Sequence, residues 1–335
     1  MRHFSRTFNL ICLVVGILVA VSVGQYTLHS APEQPIRLGI IGVDTLHAEV
    51  FTRILNDPND PEHVPGARVV AAFKGGSPDI QYSREVVDTY AAELRDKYKV
   101  EFVPDIPTLC TKVDAVLLES VDGRTHLRQI KPVIAAGKPV FIDKPLAASY
   151  EDAKEIARLA DEKRVPWFTS SGLRFWQETR RIELAAKGMQ IVGCDVYGPC
   201  LLEPHNPDLT WYGIHEVAIL YTFMGTGCVS VVQEHTQGTD VVVGKWNDGR
   251  LGVIRGIRNG KADWGMNVFG ASEIFRSQAV PYSYQPLVAE IVKFFQTHAA
   301  PVKEAESLEM FAFMEAANLS VQRGGAEVEL REVEK

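Results

Sequence analysis

The sequence predicts an α/β protein: a parallel sheet in its first half, then an α+β domain with a largely antiparallel sheet. Three observations predict it. From Ile36 to about Leu146, short wholly apolar runs alternate with segments whose apolar residues recur at helical spacing, the pattern of strands buried on both faces. Residues 227–280 break that rhythm into strand after strand. The 335 residues are long enough for two cores of ordinary size. A first domain is expected over residues 36–148 and a second over 149–335.

The chain opens on a segment of another kind. Arg2, His3 and Arg6 precede the apolar stretch NLICLVVGILVAVSV, and Ser22-Val23-Gly24 offers small residues for cleavage before Gln25. This three-part layout predicts a leader over residues 1–30 and export of the mature chain. The stretch falls short of the ~20 residues that span a bilayer comfortably, so an uncleaved anchor is the second choice.

The parallel half follows element by element. Ile36–Ile41 is an apolar strand, and Val50, Phe51, Ile54 and Leu55 then line one helix face. Arg68–Phe73 is a second strand, followed by a helix with Val87, Tyr90, Ala91 and Leu94 on one face. Val100–Val103, Ala115–Glu119 and Pro139–Ile142 are further strands, with a helix over Thr125–Ala136 closed by Gly137. Ser149 and Asp152 make a capping box for the helix Glu151–Glu162. In the second half, Asn247-Asp248-Gly249 predicts a hairpin turn, and helices are expected over Pro286–His298 and Ser307–Gln322.

A net charge of −7 argues against nucleic acid as a partner. Cys110, Cys194, Cys200 and Cys228 lack the spacing of a zinc site; Cys194 and Cys200 can pair in an oxidising compartment or remain buried thiols.

The stretch GIIGVDTLHAEVF, residues 39–51, has the strand–turn–helix layout of a Rossmann-like dinucleotide turn. Gly42 fills the first glycine position of G-x-G-x-x-G, but Asp44 and His47 fill the other two. Asp44 is expected to bring a negative charge to the pyrophosphate position, or with Thr45 to cap the helix. Past the second strand, where an acidic residue meets the ribose of NAD, the chain has Lys74-Gly75-Gly76-Ser77-Pro78-Asp79; Lys74 suits a 2′-phosphate, and a plain surface loop explains the segment equally well.

Residues 113–149, VDAVLLESVDGRTHLRQIKPVIAAGKPVFIDKPLAAS, resemble the signature of the glucose–fructose oxidoreductase/inositol dehydrogenase/MocA (Gfo/Idh/MocA) family. His126 matches the family's loop histidine, Ala136-Gly137-Lys138 its helix end, and Asp143-Lys144-Pro145 its Glu-Lys-Pro motif. The segment Trp211–Gly225 looks like the family helix that presents a histidine, here His215. The resemblance implies hydride transfer between NAD or NADP and a sugar, cyclitol or related polyol. Lys144 would stabilise the alkoxide and His215 would act as general base. Cofactor contacts are then expected from Gly42, Val43, Asp44, Thr45, Lys74, Ser120, His126, Asp143, Lys144 and Pro145; separately, the open face of the second sheet suits a homo-oligomer interface.

The departures define a second reading. Trp211 and Ala218 stand where family dehydrogenases often carry aspartate, and Glu216 points to another helix face. The polar run Glu203-Pro-His205-Asn-Pro-Asp208 either serves a sugar or is an ordinary turn. No metal centre is expected, His205, Asp208 and His215 being a minor candidate set. An exported protein meets no pool of free nicotinamide cofactor, and the isolated Arg6 is not the paired arginine of folded export. A scaffold with a degraded dinucleotide site, binding carbohydrate or acting as a cofactor-free lyase, is the alternative.

Overall fold

Six apolar runs assemble into one sheet: β1 (Ile36–Ile41), β2 (Ala67–Phe73), β3 (Glu101–Phe102), β4 (Ala115–Leu118), β5 (Val140–Asp143) and β6 (Trp167–Ser170). They lie in the order β3-β2-β1-β4-β5-β6, all parallel. The computed structural model describes residues 34–206 and 209–334, so the expected leader and Asp208 lie outside the described residues. Strand order reverses between β1 and β4, and in such sheets the carboxyl ends at that point open a ligand crevice.

Helices α1 (Leu46–Asn56), α2 (Gln81–Asp96), α3 (Ile106–Lys112), α4 (His126–Ala135) and α5 (Tyr150–Lys163) connect these strands. Phe51, Ile54 and Leu55 of α1 are buried in one core with Leu38, Ile40 and Phe141, as the helical spacing predicts. Each such side chain contributes about 1.5–3 kcal/mol on burial. The boundary expected at 148 cuts this sheet, since β6 pairs with β5 from Val140↔Trp167 to Asp143↔Ser170. A four-residue run after Pro166 is too short to declare its period in the sequence.

The chain then runs through α6 (Gln177–Ala185), β7 (Ile191–Pro199) and α7 (Ile214–Met224). β8 (Cys228–Thr236), β9 (Thr239–Trp246), β10 (Leu251–Ile257), β11 (Gly265–Gly270) and β12 (Ile274–Arg276) follow. After α8 (Gln285–Thr297) and α9 (Glu304–Gln322) come β13 (Val328–Glu329) and α10 (Leu330–Val333). The second sheet is ordered β12-β11-β7-β10-β9-β8-β13, antiparallel except where β7 meets β10. The predicted hairpin is present: Trp246 N–H donates to Arg250 O at 2.9 Å, and Gly249 adopts φ +87°.

Helix α8 returns to the first sheet. Leu287, Val288, Ile291 and Phe294 join the core of Phe51 and Phe168, with the Phe168 and Phe294 rings edge to face at 4.9 Å. The two sheets therefore belong to one compact unit, residues 34–335. Cys194 and Cys200 are free buried thiols, and burial pushes both up from the usual thiol range. Among the described residues no helix is long and apolar enough to cross a membrane.

Candidate active site at the carboxyl edge of the parallel sheet

The turn after β1 needs its glycine. Gly42 has φ +85°, and a Cβ there would lie 2.2 Å from Ser120 Oγ and 2.5 Å from the Ser120 backbone. Thr45 caps α1, accepting the His47 N–H at 3.4 Å. Asp44 does not project a charge into the crevice. It is fully buried beneath the turn, accepting Ser83 Oγ–H at 2.7 Å and Val121 N–H at 3.3 Å. Burial pushes its carboxyl up, against the opposing hydrogen bonds from Ser83 and Val121.

The end of β5 carries Asp143 and Lys144. Asp143 Oδ2 lies 2.6 Å from His47 Nδ1, and His47 Nε2 lies 3.0 Å from the Tyr284 hydroxyl. Burial opposes charge on Asp143, but His47 and Lys144 outweigh it and hold the carboxyl below its usual range. Glu119, just past β4, is fully buried and neither carboxyl oxygen has a hydrogen-bond partner. Burial, and then the Asp143 charge, push it well above the usual carboxylate range. His47, Glu119 and Asp143 bring ligand atoms within 4.8 Å of one another. They fit a cation poorly, because both His47 nitrogens are engaged and the Lys144 ammonium adjoins them.

Lys144 and His215 line one cavity of about 410 Å3, within the range of small-molecule sites. Thr45, Leu46 and Val121 border it on the sheet side; Trp211, Tyr212, Trp264 and Tyr282 wall the other. Lys144 Nζ stands 5.9 Å from the Tyr212 ring centroid, a cation–π contact. Tyr212 also meets His215 edge on at 5.1 Å and stacks with Trp264 at 6.4 Å. His215 is held by Ser171, whose Oγ lies 2.7 Å from Nδ1 and also accepts the Leu173 N–H. Burial first, then the positive Lys144, depress the His215 pKa well below 6.5, so the ring is neutral. Burial also lowers the Lys144 pKa, with Asp143 and Glu119 opposing.

Of the residues expected here, Thr45, Lys144 and His215 line the cavity, while Gly42, Val43, Asp44, Ser120, Asp143 and Pro145 lie in the segments around it. His126 is a brace: it is buried, with Nε2 2.7 Å from Ser120 O and Nδ1 3.2 Å from Leu146 O. Lys74 does not reach the cavity and is paired with Asp88 on α2. His205 pairs with Glu203 and lies 3.8 Å from Asp79, away from His215. The sequence reading missed His47 as the partner of Asp143, and the rings of Tyr82, Tyr282 and Tyr284. The Tyr282-Ser-Tyr284 alternation was a readable signal, since an extended segment puts both rings on one side.

Residues 36–170 match the model of the Gfo/Idh/MocA family, described as an oxidoreductase family with an NAD-binding Rossmann fold. Over this stretch the chain is similar to the Gfo/Idh/MocA oxidoreductase family. An inositol 2-dehydrogenase of Burkholderia cenocepacia is 33% identical over 138 residues, 39% of this chain and 35% of that protein. The chain thus spans about a third of that relative's length. An uncharacterised protein of Saccharomyces cerevisiae, YMR315W, is 24% identical over 271 residues, 71% of this chain and 69% of the yeast protein. In fold, the chain is similar to scyllo-inositol dehydrogenase from Lactobacillus casei with bound NAD(H) and scyllo-inositol. That TM-score is 0.73 at 15% identity, covering 89% of this chain and all of that one.

The nicotinamide end of a dinucleotide fits the residues present. Gly42 leaves no side chain where the β1 turn crosses β4, and the first turn of α1 borders the same cavity as Lys144.

Proposed function

We propose that this chain is an oxidoreductase moving hydride between NAD(P) and a hydroxyl-bearing carbon of a polyol, cyclitol or sugar. The observation that carries the reading is that Lys144 and His215 line one cavity beside the first turn of α1. When bound, the nicotinamide would accept or supply the hydride. Lys144 would donate a hydrogen bond to the substrate oxygen and stabilise the negative charge that grows there. His215, neutral and hydrogen-bonded through Nδ1 to Ser171, would take the hydroxyl proton on Nε2. The rings of Tyr212, Trp264 and Tyr282 would exclude water and offer flat faces to the C–H side of a cyclic polyol. The family match supports this reading over the cofactor-free lyase.

Two further parts of the proposal rest on other features. The three-part leader supports export, which fractionation of cells expressing the full chain would test. The exposed Tyr197 and Leu251, on neighbouring strands of the second sheet, support a homo-oligomer through that face, which sedimentation would test. For the activity itself, the purified protein is given NAD or NADP with a panel of inositols and hexoses. Reduced nicotinamide is followed by absorbance. Failure of every substrate with both cofactors would sink the oxidoreductase reading.

A further inference from the structure

The adenosine side of the crevice is built unlike the cavity side. After β2 the chain crosses back toward the β1 turn, and a Cβ on Gly75 would lie 3.0 Å from Gly42 Cα. Ser77 Oγ–H donates to Asp122 Oδ2 at 2.8 Å, tying this segment to the loop after β4. Ser83, in the first turn of α2, accepts the Ser77 N–H at 2.8 Å and donates to Asp44 Oδ2 at 2.7 Å. Asp44 in turn accepts the Val121 N–H, which closes a ring of contacts over the carboxyl end of β1. Arg124 bridges Asp122 and Asp79, each at 2.8 Å, along the outer side of the ring. Asp44, Ser77, Ser83 and Asp122 are all buried, so none of these bonds is a surface accident.

The grip at the helix is taken as well. A dinucleotide pyrophosphate in this fold sits on free N–H groups at the α1 N-terminus. Here the His47 N–H donates to Thr45 Oγ1, and Tyr82 lines the cavity beside Leu46. Tyr82 and Ser83 both come from the first turn of α2. Moving that turn away would unseat Asp44 and release the Ser77 N–H from Ser83, loosening the segment that Ser77 ties to Asp122.

We propose that Asp44, Ser77, Ser83 and Asp122 form a clasp that must part before the adenosine-diphosphate half of a dinucleotide can seat, and that this clasp sets how tightly the chain holds the cofactor. The proposal rests on the NAD(P) reading above and concerns binding alone. Closed, the clasp leaves the nicotinamide end and the substrate cavity accessible. The adenosine half therefore adds less affinity than it does in an open groove, because its contacts must first replace buried hydrogen bonds.

The test is titration of the full-length protein and of Ser83→Ala and Ser77→Ala with NAD, ADP-ribose and nicotinamide mononucleotide, followed by calorimetry. Each variant deletes one hydroxyl and leaves Gly42, Lys144 and His215 in place. The native protein should bind NAD little better than the mononucleotide. Each variant should gain about tenfold in affinity for NAD and ADP-ribose, and none for the mononucleotide. In hydrogen exchange of the native protein, amides of residues 75–84 should lose protection when NAD binds. Unchanged affinities in both folded variants overturn the clasp, as does native NAD binding with 75–84 still protected. Failure of all three proteins to bind NAD at millimolar concentration overturns it too. Variants that bind NAD more tightly yet reduce it with no polyol uphold the clasp and overturn the oxidoreductase reading instead.

Discussion

On the Lys144 side of the crevice the chain leaves about 410 Å3 open and walls it with aromatic rings; on the Asp44 side it ties four buried side chains to one another. Both sides rise from the same six-stranded sheet, and the strands themselves are of one kind. The difference lies in where polar groups find partners. At the clasp, Asp44 and Asp122 are each satisfied by hydroxyl and amide donors. Near the cavity, Glu119 has none and Lys144 faces only charge and a ring. Groups left short of partners are those a ligand can still reward, whereas a completed network resists one.

The largest expected effects break the comparison at its reactive end. Lys144→Met should lower kcat about 10²–10³-fold, the usual cost of removing a preorganised donor to a developing oxyanion. His215→Ala should cost about 10²–10⁴-fold, as loss of a general base does. Steady-state kinetics with the best substrate of the panel would measure both. If the two ends are independent, neither variant changes ADP-ribose binding; a parallel loss of that binding would show that they are not.

How much of this was legible in the sequence differs between the ends for a physical reason. The frame Asp143-Lys144-Pro145, the braced His126 and the cavity-lining His215 each sit on a strand end or a helix, where spacing fixes direction. Lys144 and His215, 71 residues apart, were named through the family resemblance, since spacing alone reads His215 as an ordinary helix histidine. The clasp was not legible. Ser77 and Ser83 read as loop and helix-start residues, and only folding brings Asp122 to the first and Asp44 to the second. Asp44 was correctly singled out as a departure, but its direction was misjudged, because the sequence does not say that Ser83 and Val121 wait beneath the turn. His47 was read as a missing glycine, and the structure gives it two partners.

A smaller effect, on stability, sharpens the comparison at the point where the ends meet. Gly42→Ala places a methyl within 2.5 Å of the Ser120 backbone and demands φ +85° of an alanine. The expected loss is about 1–3 kcal/mol, read by urea titration with an unchanged m value. Gly137→Ala, also at positive φ but with nothing within 4 Å, separates backbone strain from collision. It should cost less. Equal losses at the two positions would mean that the contact between the β1 turn and β4 is looser than the distances state.

The smallest effect is one of pH, and it divides the two ends by sign. His215 has a folded pKa depressed below 6.5 by burial and by Lys144, so the neutral base survives as pH falls through 6.5. The acid limb of substrate oxidation should lie below pH 6.5. The alkaline limb should lie below 10.5, because burial lowers Lys144. The His215 depression has a stability cost in the same window: below about pH 6.5 the unfolded chain binds that proton first, so stability declines as pH falls. Asp122 differs. Burial opposes its charge, but Arg124 and Ser77 outweigh burial and hold its pKa below 3.8. Its contribution to the clasp is present above that value and is lost only as pH falls through the folded pKa. Asp44, which burial raises, is the first clasp carboxyl to take a proton as pH falls, and that loosens the clasp, so ADP-ribose affinity should hold or rise where turnover declines. An affinity that fell together with turnover would contradict the clasp, whose loosening on protonation can only favour ADP-ribose.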